Sequence, residues 1–135
     1  MSGAQTMFAL LRAAEIVQAK LEAGLGEAGL SMAKFSVLSQ LAAEREPIAL
    51  CELANRLSCV RSNVTQLIDR LEADGLVIRV ADPEDRRSVR AALTPLGSDR
   101  FSAGQLEVER VQRQFNERLG SAERDHLSKG LEAIG

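Results

Sequence analysis

The sequence is poor in aromatic residues, because its 135 residues include four Phe and no Trp or Tyr. A hydrophobic core must therefore be built from Leu, Ala, Val and Ile, and 45% of the residues are hydrophobic, which is enough for such a core. The same scarcity argues against binding of RNA or single-stranded DNA, since the bases of those ligands commonly stack on aromatic side chains.

Long hydrophobic runs are also absent. No stretch of about 18 apolar residues occurs, so the sequence predicts no membrane-spanning helix. The first residues, Met1 to Gln5, lack the basic region and the cleavage pattern of a secretory signal. We therefore expect a soluble cytoplasmic protein without a membrane partner. The length fits one domain, or one domain with additional helices for dimerisation.

Residues that commonly support catalysis are scarce. The only histidine, His126, is far in sequence from either cysteine, and no Ser–His or Cys–His arrangement is indicated. Two Cys and one His without close spacing do not predict a zinc site. Gly24, Gly26 and Gly29 do not follow a strand, as the glycines of a phosphate-binding loop would. We expect no enzymatic activity, no metal and no cofactor.

The two cysteines, Cys51 and Cys59, flank a short predicted helix. Structural disulfides are rare in cytoplasmic proteins, and free cysteine often packs as a small hydrophobic residue. For these two cysteines, packing in the hydrophobic core is therefore favoured over redox sensing. A redox switch is the alternative, because oxidation at these positions would distort the neighbouring helices.

The net charge of −2 does not favour a nucleic-acid partner, but the distribution of charge matters more than the sum. Residues 56–90 contain seven Arg and no Lys against six acidic residues, whereas the rest of the chain has an acidic excess. Arginine is suited to forked hydrogen bonds with phosphates and base edges. An ordinary surface of mixed charge explains this weak asymmetry equally well.

Apolar residues at helical spacing predict two helices in the first third of the chain. The first runs from about Gln5 to Gly26, and nearby glycines are expected to fray or end it. The second follows Ser31 as the N-cap and ends near Ala43, before Pro47.

Two further helices are predicted between Ile48 and Asp74, and they are joined by Ser58, Cys59 and Val60. Their expected buried residues are Leu50, Leu53, Ala54 and Leu57 in the shorter helix, and Val64, Leu67, Ile68 and Leu71 in the longer one. This is the helix-turn-helix pattern. It is not specific by itself, because an α-hairpin in a helical bundle shows the same pattern.

A β-ribbon is predicted directly after these helices. Strand-like runs at Leu76–Val80 and Val89–Leu93 enclose the charged turn at residues 82–87. Thr94 and Pro95 then predict the start of a helix that continues to about Leu119, and Ser121 is the expected cap of a last helix. A helix followed by a small ribbon can present one element to a DNA major groove and another to the adjacent minor groove.

The sequence resembles the MarR family of bacterial transcriptional regulators in three segments. These are Leu53–Leu76, the Asp-Pro-Glu-Asp-Arg-Arg turn at 82–87, and Leu93–Gly97. The resemblance implies a mainly α fold with a small β-hairpin wing: a winged helix-turn-helix domain at 31–94, an N-terminal dimerisation helix at 1–30 and C-terminal dimerisation helices at 95–135, intertwined as one unit. It also implies a homodimer on a pseudo-palindromic double-stranded DNA operator. Such proteins usually repress transcription, and many are released by a small, often phenolic, ligand or by an oxidant.

Residues that open the second helix of the motif are expected to contact DNA. Arg, Asn and Gln can make bidentate contacts with base edges, and the candidates are Arg61, Ser62, Asn63, Thr65 and Gln66. A solvated helix start has the same polar content and is the alternative. Arg70 is expected either at a phosphate or paired with Glu72 or Asp74.

The turn between the strands supplies the other candidates. Asp85 and Arg87 match the Asp-x-Arg pattern of the family's wing, which implies that Arg87 enters a minor groove. Asp85 is expected to shape the tip, and Arg86 to contact the DNA backbone. The alternative is a solvated turn with mutual salt bridges.

Two positions depart from the family's pattern, because Val60 and Ala49 replace the Ser and Thr that often precede the two helices. We expect capping by Ser58 or Ser62 instead.

An effector site is implied between the dimerisation helices and the winged domain. Helix order alone places Arg12, Phe35 and Ser39 near it. The alternative function for the whole chain is a helical dimeric protein-interaction module that does not bind DNA.

Overall fold

The computed structural model describes residues 1–135 as a mainly helical chain with one small sheet. The helices are α1 (Gly3–Glu27), α2 (Met32–Ala43), α3 (Leu50–Arg56), α4 (Arg61–Ala73), α5 (Pro95–Arg118) and α6 (Ser121–Ile134), and the strands are β1 (Ile48–Ala49), β2 (Val77–Ala81) and β3 (Val89–Leu93). The predicted fold class, mainly α with a β-hairpin wing, is confirmed. None of the helices combines the length and the apolar character needed to cross a bilayer.

The prediction that nearby glycines fray or end α1 is confirmed for Gly29, next to which the helix ends, and is wrong for Gly24 and Gly26. Gly24 and Gly26 both lie inside α1, and the chain leaves the helix near Gly29, whose φ is +71°. Gly24 is buried against α5, where an added Cβ atom would lie 3.3 Å from Val111 Cγ2. Contact with α5 therefore outweighs the low helix propensity of this glycine.

The sheet has a strand that the sequence did not predict. Strand β1 pairs antiparallel with β3, Ile48 opposite Ala91 and Ala49 opposite Arg90, so the strand order is β1-β3-β2. Two residues are too few to show a strand periodicity, which is why Ile48 was assigned to the helical region. As a result, strand β3 of the wing is hydrogen-bonded to the segment that leads into α3.

One apolar core lies inside the winged domain, and no polar or charged residue is buried. The buried residues predicted for α4 are confirmed for Val64, Ile68 and Leu71, whereas Leu67 is only partly buried. The C-terminal part of α1 contributes Leu25 to this core. The other buried members lie on the remaining elements except α5 and α6, or in the short connections between elements, and they are Leu30, Val37, Leu38, Leu41, Ile48, Leu50, Leu53, Ala54, Leu76, Val77 and Ala91.

The start of α5 is confirmed, and the cap of α6 is corrected. The Thr94 hydroxyl accepts a hydrogen bond from the Gly97 N–H at 2.9 Å and donates to the Gly75 carbonyl at 2.7 Å. Ser121 is already the first residue of α6, and the N-cap position is Gly120, which provides no side-chain cap. The Glu123 carboxylate lies where a side chain at Gly120 would project, so an acidic group of the first turn covers this helix end.

Candidate nucleic-acid interface

A short hydrogen-bonded turn joins α3 to α4. Ser58 has a φ of +51°, and its N–H donates to the Asn55 carbonyl, while the Cys59 N–H donates to the Ala54 carbonyl at 3.0 Å. Ala49 and Val60 provide no side-chain caps. The prediction that Ser58 or Ser62 takes over the capping is wrong, because neither hydroxyl bonds to the start of α3 or α4.

Helix α4 presents a polar surface opposite its buried face. Val64, Ile68 and Leu71 anchor one side of the helix in the core. The candidates Arg61, Ser62, Asn63 and Gln66 are exposed, and Thr65 is half-buried with its hydroxyl donating to the Arg61 carbonyl at 3.0 Å. The structure therefore brings the predicted α4 candidates together at the N-terminal half of one helix.

Arg79 on β2 links the wing to α4, and sequence reasoning missed it. Its guanidinium donates to Asp69 and, at 2.8 Å, to Glu72, and its backbone N–H also donates to Glu72 at 3.1 Å. The hydrogen bond with Asp69 is the main cause that raises the pKa of Arg79. The Asp74 carboxylate at the end of α4 pairs with Lys34 at 3.0 Å. Each of these three carboxylates is thus paired with a basic side chain of the same chain, and Asp69 and Glu72 share one guanidinium group.

The proposed pairing of Arg70 with Glu72 or Asp74 is wrong. Those carboxylates are bound to Arg79 and Lys34, respectively. Arg70 is exposed and forms no ion pair, so its charge is free for an external anion.

The wing is shaped by two aspartates. The Asp82 carboxylate accepts from the Glu84 N–H at 3.0 Å and lies 3.3 Å from Arg90 Nε. The Glu84 N–H is the main cause that lowers the pKa of Asp82, and Arg90 adds to it. Asp85 accepts from the Arg87 N–H at 2.9 Å, which closes the tip of the turn. Both contacts hold the turn without using the charged end of Arg87.

Arginines in residues 56–90 fall into two groups. Three of them are neutralised within the chain: Arg56 pairs with Glu44 and Glu52, Arg79 with Asp69 and Glu72, and Arg90 with Asp82. The other four are exposed and form no ion pair, and they are Arg61, Arg70, Arg86 and Arg87. The mutual salt bridges expected of an ordinary solvated turn are therefore absent from the wing tip. All four free arginines lie on α4 or at that tip.

The cysteines are not packed in the core, so that prediction is wrong. Cys51 and Cys59 are both free thiols with exposed side chains. The amphipathic pattern of α3 places Leu50, Leu53 and Ala54 in the core, which leaves Cys51 on the solvent side. No group of three or more His, Cys, Asp or Glu side chains converges in a way that could hold a metal ion.

The three residues named for an effector site have different surroundings. Arg12 is exposed on α1. Phe35 stacks on Phe101 with ring centroids 5.4 Å apart, and the Ser39 hydroxyl donates to the Phe35 carbonyl at 2.9 Å. Two apolar cavities of about 300 and 530 Å³ lie between the long terminal helices, and other residues line them.

The known proteins to which this chain is similar are transcriptional regulators, and the structure of one of them was solved bound to DNA. The profile of the MarR family matches residues 30–89. The HTH-type transcriptional regulator YkoM of Bacillus subtilis is 36% identical over 110 residues, which are 81% of this chain and 70% of YkoM. The homoprotocatechuate degradative operon repressor of Escherichia coli is 28% identical over 69% of this chain, and the match spans only 63% of that repressor.

A solved structure supports the same assignment. The transcriptional repressor CouR, bound to a 23-mer DNA duplex, is similar with a TM-score of 0.84 and 33% sequence identity. The similarity covers 94% of this chain and 89% of the CouR chain. The family resemblance carried by the helix-turn-helix and wing segments is therefore confirmed. The chain belongs to the MarR family of transcriptional regulators.

Proposed function

We propose that this regulator binds double-stranded DNA as a homodimer and represses transcription, with α4 in the major groove and the wing in the adjacent minor groove. The observation that carries the proposal is the pairing pattern of the arginines. The four arginines of residues 56–90 that form no ion pair all lie on α4 or at the wing tip, whereas Arg56, Arg79 and Arg90 are paired with carboxylates of the chain.

This pattern explains how a chain with a net charge of −2 can bind a polyanion. Internal pairing with Arg79 and Lys34 reduces the repulsion from the carboxylates of Asp69, Glu72 and Asp74 next to α4. Free guanidinium groups then face solvent, where each phosphate contact releases condensed counterions and strengthens binding at low salt. Arg61 would contact base edges together with Ser62, Asn63, Thr65 and Gln66, and Arg70 and Arg86 would contact phosphates.

Dimerisation is supported by the distribution of apolar side chains. Within residues 31–94, most large apolar side chains are buried, and only Val60, Ile78 and Val89 are exposed. The long terminal helices show the opposite pattern, because α6 contains no buried residue. Their exposed side chains include Met7, Phe8, Leu11, Ile16, Leu106, Phe115, Leu127, Leu131 and Ile134. A second copy that packs against these helices would cover them, with residues 1–30 and 95–135 as the dimerisation segments.

Repression and release by an effector are proposed from the relatives. CouR is described as a repressor bound to DNA, and the Escherichia coli relative represses an operon for degradation of an aromatic compound. We propose a small aromatic effector that binds between the dimerisation helices and the winged domain, near Arg12, Phe35 and Ser39. Oxidation of Cys51 or Cys59 is the less favoured route to release.

Selection of bound sequences from a random double-stranded DNA pool tests the proposal, at about 150 mM salt, where non-specific binding is weak. We expect enrichment of a palindrome whose half-sites lie about one helical turn apart. The selection is run under reducing conditions, so that oxidation of the exposed cysteines cannot prevent binding. If a folded dimer enriches no sequence, the winged domain serves protein contacts and the proposed function is wrong.

Replacement of Arg87 by alanine should weaken binding to the selected operator by about 1–3 kcal/mol and leave the folding of the chain unchanged. Arg87 makes no side-chain contact that stabilises the wing, since only its backbone N–H bonds to Asp85. Titration of fluorescent operator at several salt concentrations measures the affinity and the salt slope. The control is Arg113→Ala, which removes the same charge from α5. Equal effects of the two substitutions would rule out the wing assignment.

A further inference from the structure

Val60 occupies the position just before α4, and the fold does not use its side chain. Val60 is 62% exposed, which makes it the most exposed large apolar residue between residues 31 and 94. A Ser, Thr, Asn or Asp at this position could accept a hydrogen bond from an N–H of the first turn, whereas Val60 leaves α4 without a side-chain cap. Neither burial nor capping therefore explains a valine here.

The backbone around Val60 is held in one geometry. Three hydrogen bonds fix the preceding turn: the Ser58 N–H to the Asn55 carbonyl at 3.3 Å, the Cys59 N–H to the Ala54 carbonyl at 3.0 Å and the Cys59 thiol to the Leu57 carbonyl at 3.4 Å. The Val60 carbonyl in turn accepts from the Asn63 N–H at 3.1 Å. A valine has few rotamers. Its two methyl groups are thus presented with little entropy left to lose on contact.

The neighbouring residues define the surface on which these methyl groups lie. Arg61, Ser62 and Asn63 follow Val60 directly, and all three are exposed. In the proposed complex, this end of α4 enters the major groove. The major-groove edges of the bases are polar except for the C5-methyl group of thymine, which is the partner for apolar side chains.

We propose that Val60 is a specificity-determining residue that contacts the methyl group of a thymine in each half-site. The inference rests on the proposed function, because it requires α4 to lie in the major groove. It adds a hydrophobic readout to the hydrogen bonds expected from Arg61 and its neighbours. It also gives a reason for an apolar residue at the start of α4.

The test replaces the thymines of the selected half-site by deoxyuridine, one position at a time and symmetrically in both half-sites. Deoxyuridine lacks only the methyl group, so base pairing is kept. We expect that the wild-type protein loses about fourfold in affinity for each half-site at one position. Val60→Ser should bind the thymine and deoxyuridine operators equally at that position. Ile78→Ser, which also replaces an exposed apolar residue of the winged domain, should discriminate as the wild type does.

Comparison of one variant on two operators separates recognition from folding, since a folding defect weakens binding to both operators alike. The inference is overturned if no thymine shows an effect of deoxyuridine in the wild type, or if Val60→Ser retains the full effect. A protein that selects no sequence at all would instead refute the proposed function. The two failures are therefore distinguishable.

Discussion

Replacement of Gly97 by alanine is expected to destabilise the chain by more than about 3 kcal/mol, because the new methyl group has no space. Gly97 is buried in the first turn of α5, and a Cβ atom added there would lie only 1.9 Å from the Leu76 carbonyl oxygen. That carbonyl cannot move freely, since it accepts a hydrogen bond from the Thr94 N–H at 3.1 Å. The clash therefore forces apart the start of β2 and the start of α5. The loss of stability is measured by urea denaturation, with circular dichroism as the probe of unfolding.

Gly26→Ala is the control, because it makes the same chemical change at a position where no atom lies within 4 Å of the added Cβ. Gly26 lies near the end of α1, and an alanine in a helix is more favourable than a glycine by about 1 kcal/mol at most. We therefore expect this variant to be as stable as the wild type or slightly more stable. A Gly97→Ala protein of wild-type stability would show that the contact between Leu76 and α5 is not tight.

The local elements of the winged domain were predictable because their signals lie within a few residues of one another. The apolar spacing of Val64, Ile68 and Leu71 and the side chain of Thr94 fixed α4 and the start of α5, and both agree with the structure. Strand β1 was missed because its two residues form a strand only by pairing with β3, more than forty residues later in the chain. A short strand of this kind is defined by its partner and has no signal of its own.

In the candidate site, too, the sequence could not predict features that depend on contacts between distant parts of the chain. Sequence could indicate which residue types suit DNA, but it could not separate free arginines from paired ones. Arg79 is neutralised by Asp69 and Glu72 only because β2 folds back along α4. The same folding takes Glu72 away from Arg70. A balance of charges counted along the sequence therefore cannot show which arginines are free to contact DNA.

Ending the chain after Gly120, which removes α6, is expected to yield a folded monomer that has lost at least about 100-fold in operator affinity. The structure favours this truncation over removal of α1, because α1 supplies Leu25 to the core of the winged domain. Helix α6 supplies no buried residue to that core. Size-exclusion chromatography with light scattering measures the oligomeric state, and circular dichroism confirms the fold.

The loss of affinity follows from bivalency. Two linked winged domains bind two half-sites at a high effective concentration, which raises avidity by about 10²–10⁴ over a single domain. In α6, Leu127, Leu131 and Ile134 recur at helical spacing and are all exposed, so one face of this helix is apolar. Leu131→Asp in the full chain should therefore reproduce the monomer, whereas Lys129→Asp, on the same helix but off that face, should leave the dimer intact. If the truncated chain still forms a dimer with wild-type operator affinity, the apolar face of α6 is not the contact that joins the two copies.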